Sequence, residues 1–177
     1  MSVHGEDEID ACLRVLHSNT QMGENVAEFE RRVARRFSKT NGIFVNSGSS
    51  ALYLSVEILA LPPDSEVITP ALTFGTTVGC IVKNSLIPAF VDTEPDTYCI
   101  DVEQVEKSIT KNTKAMCIPN LIGNLPHWDE LREIADKYNL LILEDSADII
   151  GVKYKNRNIG YYSDISTSSF YGNHIIN

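Results

Sequence analysis

The sequence predicts an α/β layered fold with a largely parallel sheet between helices, on three observations. Short runs rich in apolar and β-branched residues recur along the chain, at "GIFVNSG", "EVITP", "IPAFVDT", "KAMCIPN" and "LLILEDS". Most of these runs are apolar throughout instead of alternating, the pattern of strands covered on both faces. Helix-length segments separate them, and strand alternating with helix favours parallel pairing through crossover connections. With 177 residues, of which 43% are hydrophobic and 22% charged, the chain is long enough for one domain with a real core.

The elements follow in order. "EDEIDACLRVLHSN" sets Ile9, Cys12, Leu13 and Leu16 on one helical stripe, and "NVAEFERRVARRFSK" does the same with Val26, Phe29, Val33 and Phe37, so the chain opens with two amphipathic helices. A strand is expected at "GIFVNSG", then a helix over Ser49–Ala60. A strand at "EVITP" leads to a helix over Thr76–Lys83, and "IPAFVDT" to one over Val102–Ile109. "KAMCIPN" precedes a helix over Trp128–Tyr138, and "LLILEDS" is the fifth strand. In such sheets ligands sit at the carboxyl ends of strands, which singles out the residues just after each one.

Charge and composition exclude several classes. A net charge of -9 with only 15 Lys and Arg argues against nucleic acid, whose phosphates need clustered cations. Arg31, Arg32, Arg35 and Arg36 read as the wet face of a helix. Cys12, Cys80, Cys99 and Cys117 form no CxxC pair, so no metal site or disulfide framework is indicated, and they are expected as core residues in a reducing compartment. No apolar run approaches the ~20 residues that span a bilayer, and the chain opens polar and acidic, so a cytoplasmic protein is expected.

Four strand or turn ends carry chemistry. "NSGSSALYL" places Gly48 among hydroxyls at a helix start, where free N–H groups and the helix dipole favour an anion; Ser49 or Ser50 can equally serve as a plain N-cap. "TPALTFGTT" puts Phe74 at a strand-to-helix turn, to stack on a planar ligand or to pack in the core. "LLILEDSAD" drives an apolar strand into Glu144 and Asp145. A carboxylate there is costly unless a cation meets it: it can be a metal ligand, a base, the partner of a protonated ring nitrogen, or a helix cap. "DISTSSFYGNH" supplies Ser169 and then His174 after Gly172.

In this order and spacing, "EDEIDACLRVLHSN", "NSGSSAL", "SEVITPALTF", "IPAFVDTEPDTYCID", "LEDSAD" and "DISTSSF" resemble the DegT/StrS-type family of pyridoxal-phosphate-dependent sugar aminotransferases, which share the aspartate aminotransferase fold. The resemblance implies a cofactor-binding large domain over residues 41–177, preceded by a helical segment over 1–40. It also implies that this chain is the N-terminal portion of a longer enzyme, lacking the rest of the large domain and a small C-terminal domain. It implies phosphate binding by Ser49, Ser50 and Ser169, ring stacking by Phe74, and pairing of Asp145 with the pyridine nitrogen. An anion there keeps that nitrogen protonated, and a protonated ring is the better electron sink.

The lysine of the family's "SFxxxK" pattern is replaced: the chain reads Ser169, Phe170, Tyr171, Gly172, Asn173, His174. Aminotransferases of the family usually carry glutamine or histidine three residues beyond the aspartate, where this chain has Asp148. The histidine-containing nucleotide-sugar 3-dehydrase branch is more similar, with a match at His174, Asp148 and the Gly123-Asn124 pair. That branch uses pyridoxamine 5'-phosphate, which brings its own amine to a 4-keto-6-deoxy sugar nucleotide, so the resemblance implies that His174 is a base where relatives keep a nucleophile. It further implies a nucleotide-linked sugar substrate, a homodimer and an electron-donating reductase partner. An aminotransferase using pyridoxal 5'-phosphate, and a non-catalytic remnant or partner subunit, remain as alternatives.

Overall fold

The computed structural model describes residues 4–172 and 174. Five strands form one all-parallel sheet in the order β2-β1-β3-β4-β7, where β1 is Glu66–Pro70, β2 Ile87–Val91, β3 Thr113–Pro119, β4 Leu141–Ser146 and β7 Ile165–Ser168. The helices are α1 Glu6–Ser18, α2 Glu24–Arg36, α3 Gly48–Ile58, α4 Gly75–Lys83, α5 Val102–Lys107 and α6 Trp128–Tyr138. A hairpin of β5 (Lys153–Tyr154) and β6 (Arg157–Asn158) lies apart from the sheet. The four helices expected between strands are present within a few residues of their expected bounds, and the expected sheet is parallel.

Strand alternation divides the core between the two faces of the sheet. Ile68, Met116, Ile118 and Ile142 point to one face and pack with Phe37, Trp128, Leu131 and Ile159. Val67, Ala115, Cys117 and Leu143 point to the other, against Leu52 and Val56 of α3 and Cys80 and Ile81 of α4. Period-two alternation between two buried faces is why these strands read as continuous apolar runs. Three of the four cysteines are buried as expected, whereas Cys12 is exposed on α1. The stripe of α1 is amphipathic in sequence, yet no residue of that helix is buried among the described residues.

One expected strand is absent. Among the described residues, 42–45 make no ladder bonds, and α2 lies against this segment. A side chain on Gly42 would start 2.7 Å from the Glu30 carbonyl, and the Phe44 N–H is taken by Glu30 Oε1 at 2.7 Å. Phe44 and Phe170 instead meet Phe29 edge-on, at 5.3 and 4.8 Å between ring centres. Within the main sheet the unexpected strand is β7, a short and mostly polar "ISTS" paired to β4 with Asp145 opposite Thr167; the β5–β6 hairpin is likewise unexpected.

At the other edge, the Ile87 N–H bonds inward to the Ser65 carbonyl, so Pro88 presents its side of the backbone outward, where no N–H exists to donate. The arginines behave as a solvated face: Arg31 and Arg32 share Glu28 at 2.7 and 2.6 Å.

At the start of α6, Asp129 accepts from Lys155 Nζ and the Tyr154 hydroxyl, each at 2.6 Å, tying the hairpin to the body. The Lys155 bond first and the Tyr154 bond second hold the Asp129 carboxyl down at about 2, while burial and Asp129 push Tyr154 up to about 12. A carboxyl whose folded pKa lies below its unfolded one stabilises above its ordinary value, and that stability is lost as pH falls toward the folded pKa. Thermal midpoints are therefore expected to fall between about pH 4 and pH 2 through this group, and Asp129→Asn to flatten that part of the profile. An unchanged slope in the variant would contradict the assignment.

Candidate active site

The carboxyl ends of β1 and β4, the start of α3 and the segment after β7 converge on the helix-covered α3/α4 face. Asp145 lies within β4, and alternation turns it toward α4, where Thr77 Oγ1 donates to its Oδ2 at 2.9 Å. Among the described residues its other oxygen accepts the Ala147 N–H, at 3.3 Å. Among the described residues no helix starts after it, so it caps none there. Burial pushes the Asp145 carboxyl up; Thr77 and Ala147 pull it down, the nearby charge of Asp148 raises it, and His174 lowers it. The largest influence is thus desolvation, opposed in part by two donors and by the charge of His174. That donor set fits a cationic partner such as a protonated ring nitrogen.

Around Asp145 the other expected residues take separate places. Ser47, not Ser49 or Ser50, is the N-cap of α3: its Oγ accepts the Ser50 N–H at 3.1 Å and reaches the Ser50 hydroxyl at 3.0 Å. The Ser49 hydroxyl faces Thr76 at 3.4 Å, bridging the starts of α3 and α4. A side chain on Gly48 would start 3.0 Å from Ser169 Cβ, so Ser169 packs directly on the α3 terminus. The three expected phosphate-side hydroxyls therefore share one helix N-terminus, where N–H groups and dipole favour an anion. Phe74, the residue before α4, is 67% exposed, which removes the core role and leaves an aromatic face at the rim of the site.

Asp148 accepts the Ile122 N–H at 2.9 Å and so pins the Leu121–Gly123 turn, where Ile122 and Gly123 both adopt positive φ, 50° and 88°. Asn124 of the Gly123-Asn124 pair donates to the Thr97 carbonyl at 2.6 Å, a bond that anchors the same turn. His174 stacks edge-on to Tyr171 at 5.7 Å, and its Nδ1 is buried with no hydrogen-bond partner among the described residues. No lysine is among the charges that act on Asp145.

Thr77 is the site residue that sequence reasoning missed. Its signal was a hydroxyl three residues after Phe74, on the first turn of a helix that faces the carboxylate strand, and only the strand order shows that α4 and β4 meet. Among the described residues no group of His, Cys, Asp and Glu is arranged to hold a metal ion.

Thr77→Val keeps shape and removes the donor to a buried carboxylate, which is expected to cost about 1–3 kcal/mol at neutral pH. Because the lost bond favours the charged acid, the deficit should shrink as pH is lowered and Asp145 takes up its proton in both proteins. Urea unfolding at several pH values checks this, and a deficit independent of pH would contradict it.

Against known proteins, residues 3–177 match the model of the DegT/DnrJ/EryC1/StrS aminotransferase family. The lipopolysaccharide biosynthesis protein RfbH of Salmonella typhimurium is 40% identical over 84% of this chain and 36% of its own length. GDP-perosamine synthase of Caulobacter vibrioides is 33% identical over 89% of this chain and 42% of its own. Among solved structures, E. coli GDP-4-keto-6-deoxy-D-mannose-3-dehydratase with bound hydrated PLP superposes with a TM-score of 0.83 at 31% identity, over 89% of this chain and 42% of that one. A structure of GDP-4-keto-6-deoxymannose-3-dehydratase with bound GDP-perosamine gives 0.89 at 30% identity, over 95% and 45%. The chain spans about two fifths of the length of these relatives. The parallel sheet and the family match agree: this chain belongs to the DegT/DnrJ/EryC1/StrS aminotransferase family and has the aspartate aminotransferase-like fold of its solved relatives.

Proposed function

We propose that this chain forms the cofactor-binding part of a vitamin B6-dependent nucleotide-sugar enzyme that removes the 3-hydroxyl of a 4-keto-6-deoxy sugar nucleotide with pyridoxamine 5'-phosphate. The observation that carries the reading is His174, standing where the family's lysine is expected and within electrostatic reach of Asp145. When bound, the cofactor supplies an amine for the sugar ketone and a ring that accepts an electron pair.

The chain's own residues do the rest. Asp145 holds the proton on the ring nitrogen, and Thr77 orients the carboxylate that does so. Ser49, Ser50 and Ser169 bind the phosphate with the N-terminus of α3, and Phe74 covers the ring and excludes water. Asp148 adds a second negative charge near Asp145 and so strengthens the preference for a cationic ring. His174, with an unpartnered Nδ1, takes a proton at the reacting carbon and returns it to the departing hydroxyl. A lysine there would offer a competing amine. On this reading a second copy of the chain and a reductase partner belong to the working enzyme, in a cytoplasmic setting.

Aminotransfer with pyridoxal 5'-phosphate is the second reading, supported by the likeness to GDP-perosamine synthase. The two separate on one measurement. With pyridoxal phosphate and borohydride, the wild-type protein is expected to bind saturably and gain no covalent mass, while His174→Lys gains one adduct located at position 174. An adduct on a wild-type lysine would favour aminotransfer. His174→Asn is expected to retain pyridoxamine-phosphate binding and to lose about 10²–10⁴-fold in dehydration rate in the assembled enzyme. Dehydration at the wild-type rate would remove His174 from the role.

A further inference from the structure

Glu144 is buried completely, one residue before Asp145 and on the opposite face of β4, and the chemistry just described does not use it. Its Oε1 accepts from the Ser146 hydroxyl at 2.5 Å and from Asn120 Nδ2 at 3.2 Å; its Oε2 accepts from the Ser163 hydroxyl at 3.0 Å. Asn120 in turn takes the indole N–H of buried Trp128 at 2.9 Å. On the far side, Lys39 Nζ donates to the Gly160 carbonyl at 2.6 Å, to the Ser163 carbonyl, and to Ser163 Oγ at 3.2 Å. Lys39 makes no ion pair among the described residues, so its charge reaches Glu144 through Ser163. Burial pushes the carboxyl up and the ammonium down, and each charge opposes the shift of the other.

The placement of this network is what gives it a role. Ser163 sits just before β7, its hydroxyl lies 2.9 Å from that of Ser166, and Ser166 is the residue of β7 paired opposite Glu144. Asp164 adds a second pin, accepting the Ile142 N–H at 2.7 Å while its own N–H bonds the Ile142 carbonyl at 2.9 Å. A buried charged group held by hydrogen bonds contributes little net stability compared with apolar packing, and a registry role is the best-attested use of such groups. Registry matters here because β7 is short and mostly polar, with Ile165 its single apolar residue to help fix it. A slip of one residue would turn Ser169 away from Gly48.

We infer that Glu144 is a positioning residue for the phosphate end of the site: its buried carboxylate locks β7 in register with β4 and so carries Ser169 to the N-terminus of α3. This rests on the vitamin B6 reading above.

The test compares affinity for pyridoxamine phosphate with affinity for pyridoxamine, which lacks the phosphate, by calorimetry on the whole chain. Their ratio isolates the phosphate's contribution. Wild type should favour pyridoxamine phosphate strongly. Glu144→Gln, which keeps shape but cannot accept at both ends, should lower the ratio about ten-fold, as Ser169→Ala does, and the double variant should lose little more, because the two act through one contact. Ser163→Ala removes one donor with little change of volume and should lower the ratio about three-fold, which keeps the inference testable if Glu144→Gln does not fold. Glu144→Asp, keeping the charge, should recover part of the ratio.

A merely structural Glu144 would lower the unfolding midpoint and leave the ratio at the wild-type value. That result, or full additivity with Ser169→Ala, would overturn the inference alone. A wild-type protein that binds both ligands equally would overturn the vitamin B6 reading, and the inference with it.

Discussion

The burial of two consecutive carboxylates at the end of β4 is the constraint around which this protein is arranged. Glu144 and Asp145 face opposite sides of the sheet because strand side chains alternate, so each must be answered by a different layer. Charges removed from water at this depth cost several kcal/mol apiece unless they are compensated. Glu144 finds its compensation inside the protein, in three hydroxyl and amide donors and a relayed lysine. Asp145 finds, among the described residues, Thr77, one backbone N–H and the charge of His174. The difference between a richly supplied acid and a sparsely supplied one separates Glu144 from the candidate site residue Asp145.

That asymmetry organises the neighbouring elements. The start of α4 must approach β4 for Thr77 to reach Asp145, which also brings Phe74 to the rim and Thr76 to Ser49 of α3. The turn before β7 must fold back beneath β4 to deliver Ser163, which sets where the strand begins and where Ser169 and His174 emerge. The Leu121–Gly123 turn accepts two residues of positive φ because Asp148 and Asn124 hold it from either side. A non-glycine residue in that region costs of order 1–3 kcal/mol, and such strain persists where surrounding bonds over-determine it.

Much of this was legible in the sequence. Unbroken apolar runs announced strands covered on both faces, and the change from apolar residues to Glu144-Asp145 marked the carboxyl end of β4. Trp128–Tyr138 was found to the residue, since its apolar spacing and flanks agree. The strand expected at "GIFVNSG" has no partner strand among the described residues, because apolar, β-branched content says that a segment suits a sheet, not that a partner lies beside it; the Phe44 N–H goes to Glu30 of α2. β7 escaped notice because its pairing comes from β4 and the serine network, not from its own hydrophobicity. Thr77 and Ser163 were invisible for a related reason. A hydroxyl gains its meaning from an acceptor 68 or 19 residues away in sequence, and no local pattern encodes that distance.

The proline in β2 gives the sheet a direction of growth. With Pro88 turned outward, that edge offers an incoming strand one donor fewer and a ring where a flat backbone is needed, which discourages pairing there. β7 has no strand on its outer side among the described residues and carries no such block. Any strand that joins this sheet is therefore steered to the border after which Ser169 follows, and would lie beside the candidate site.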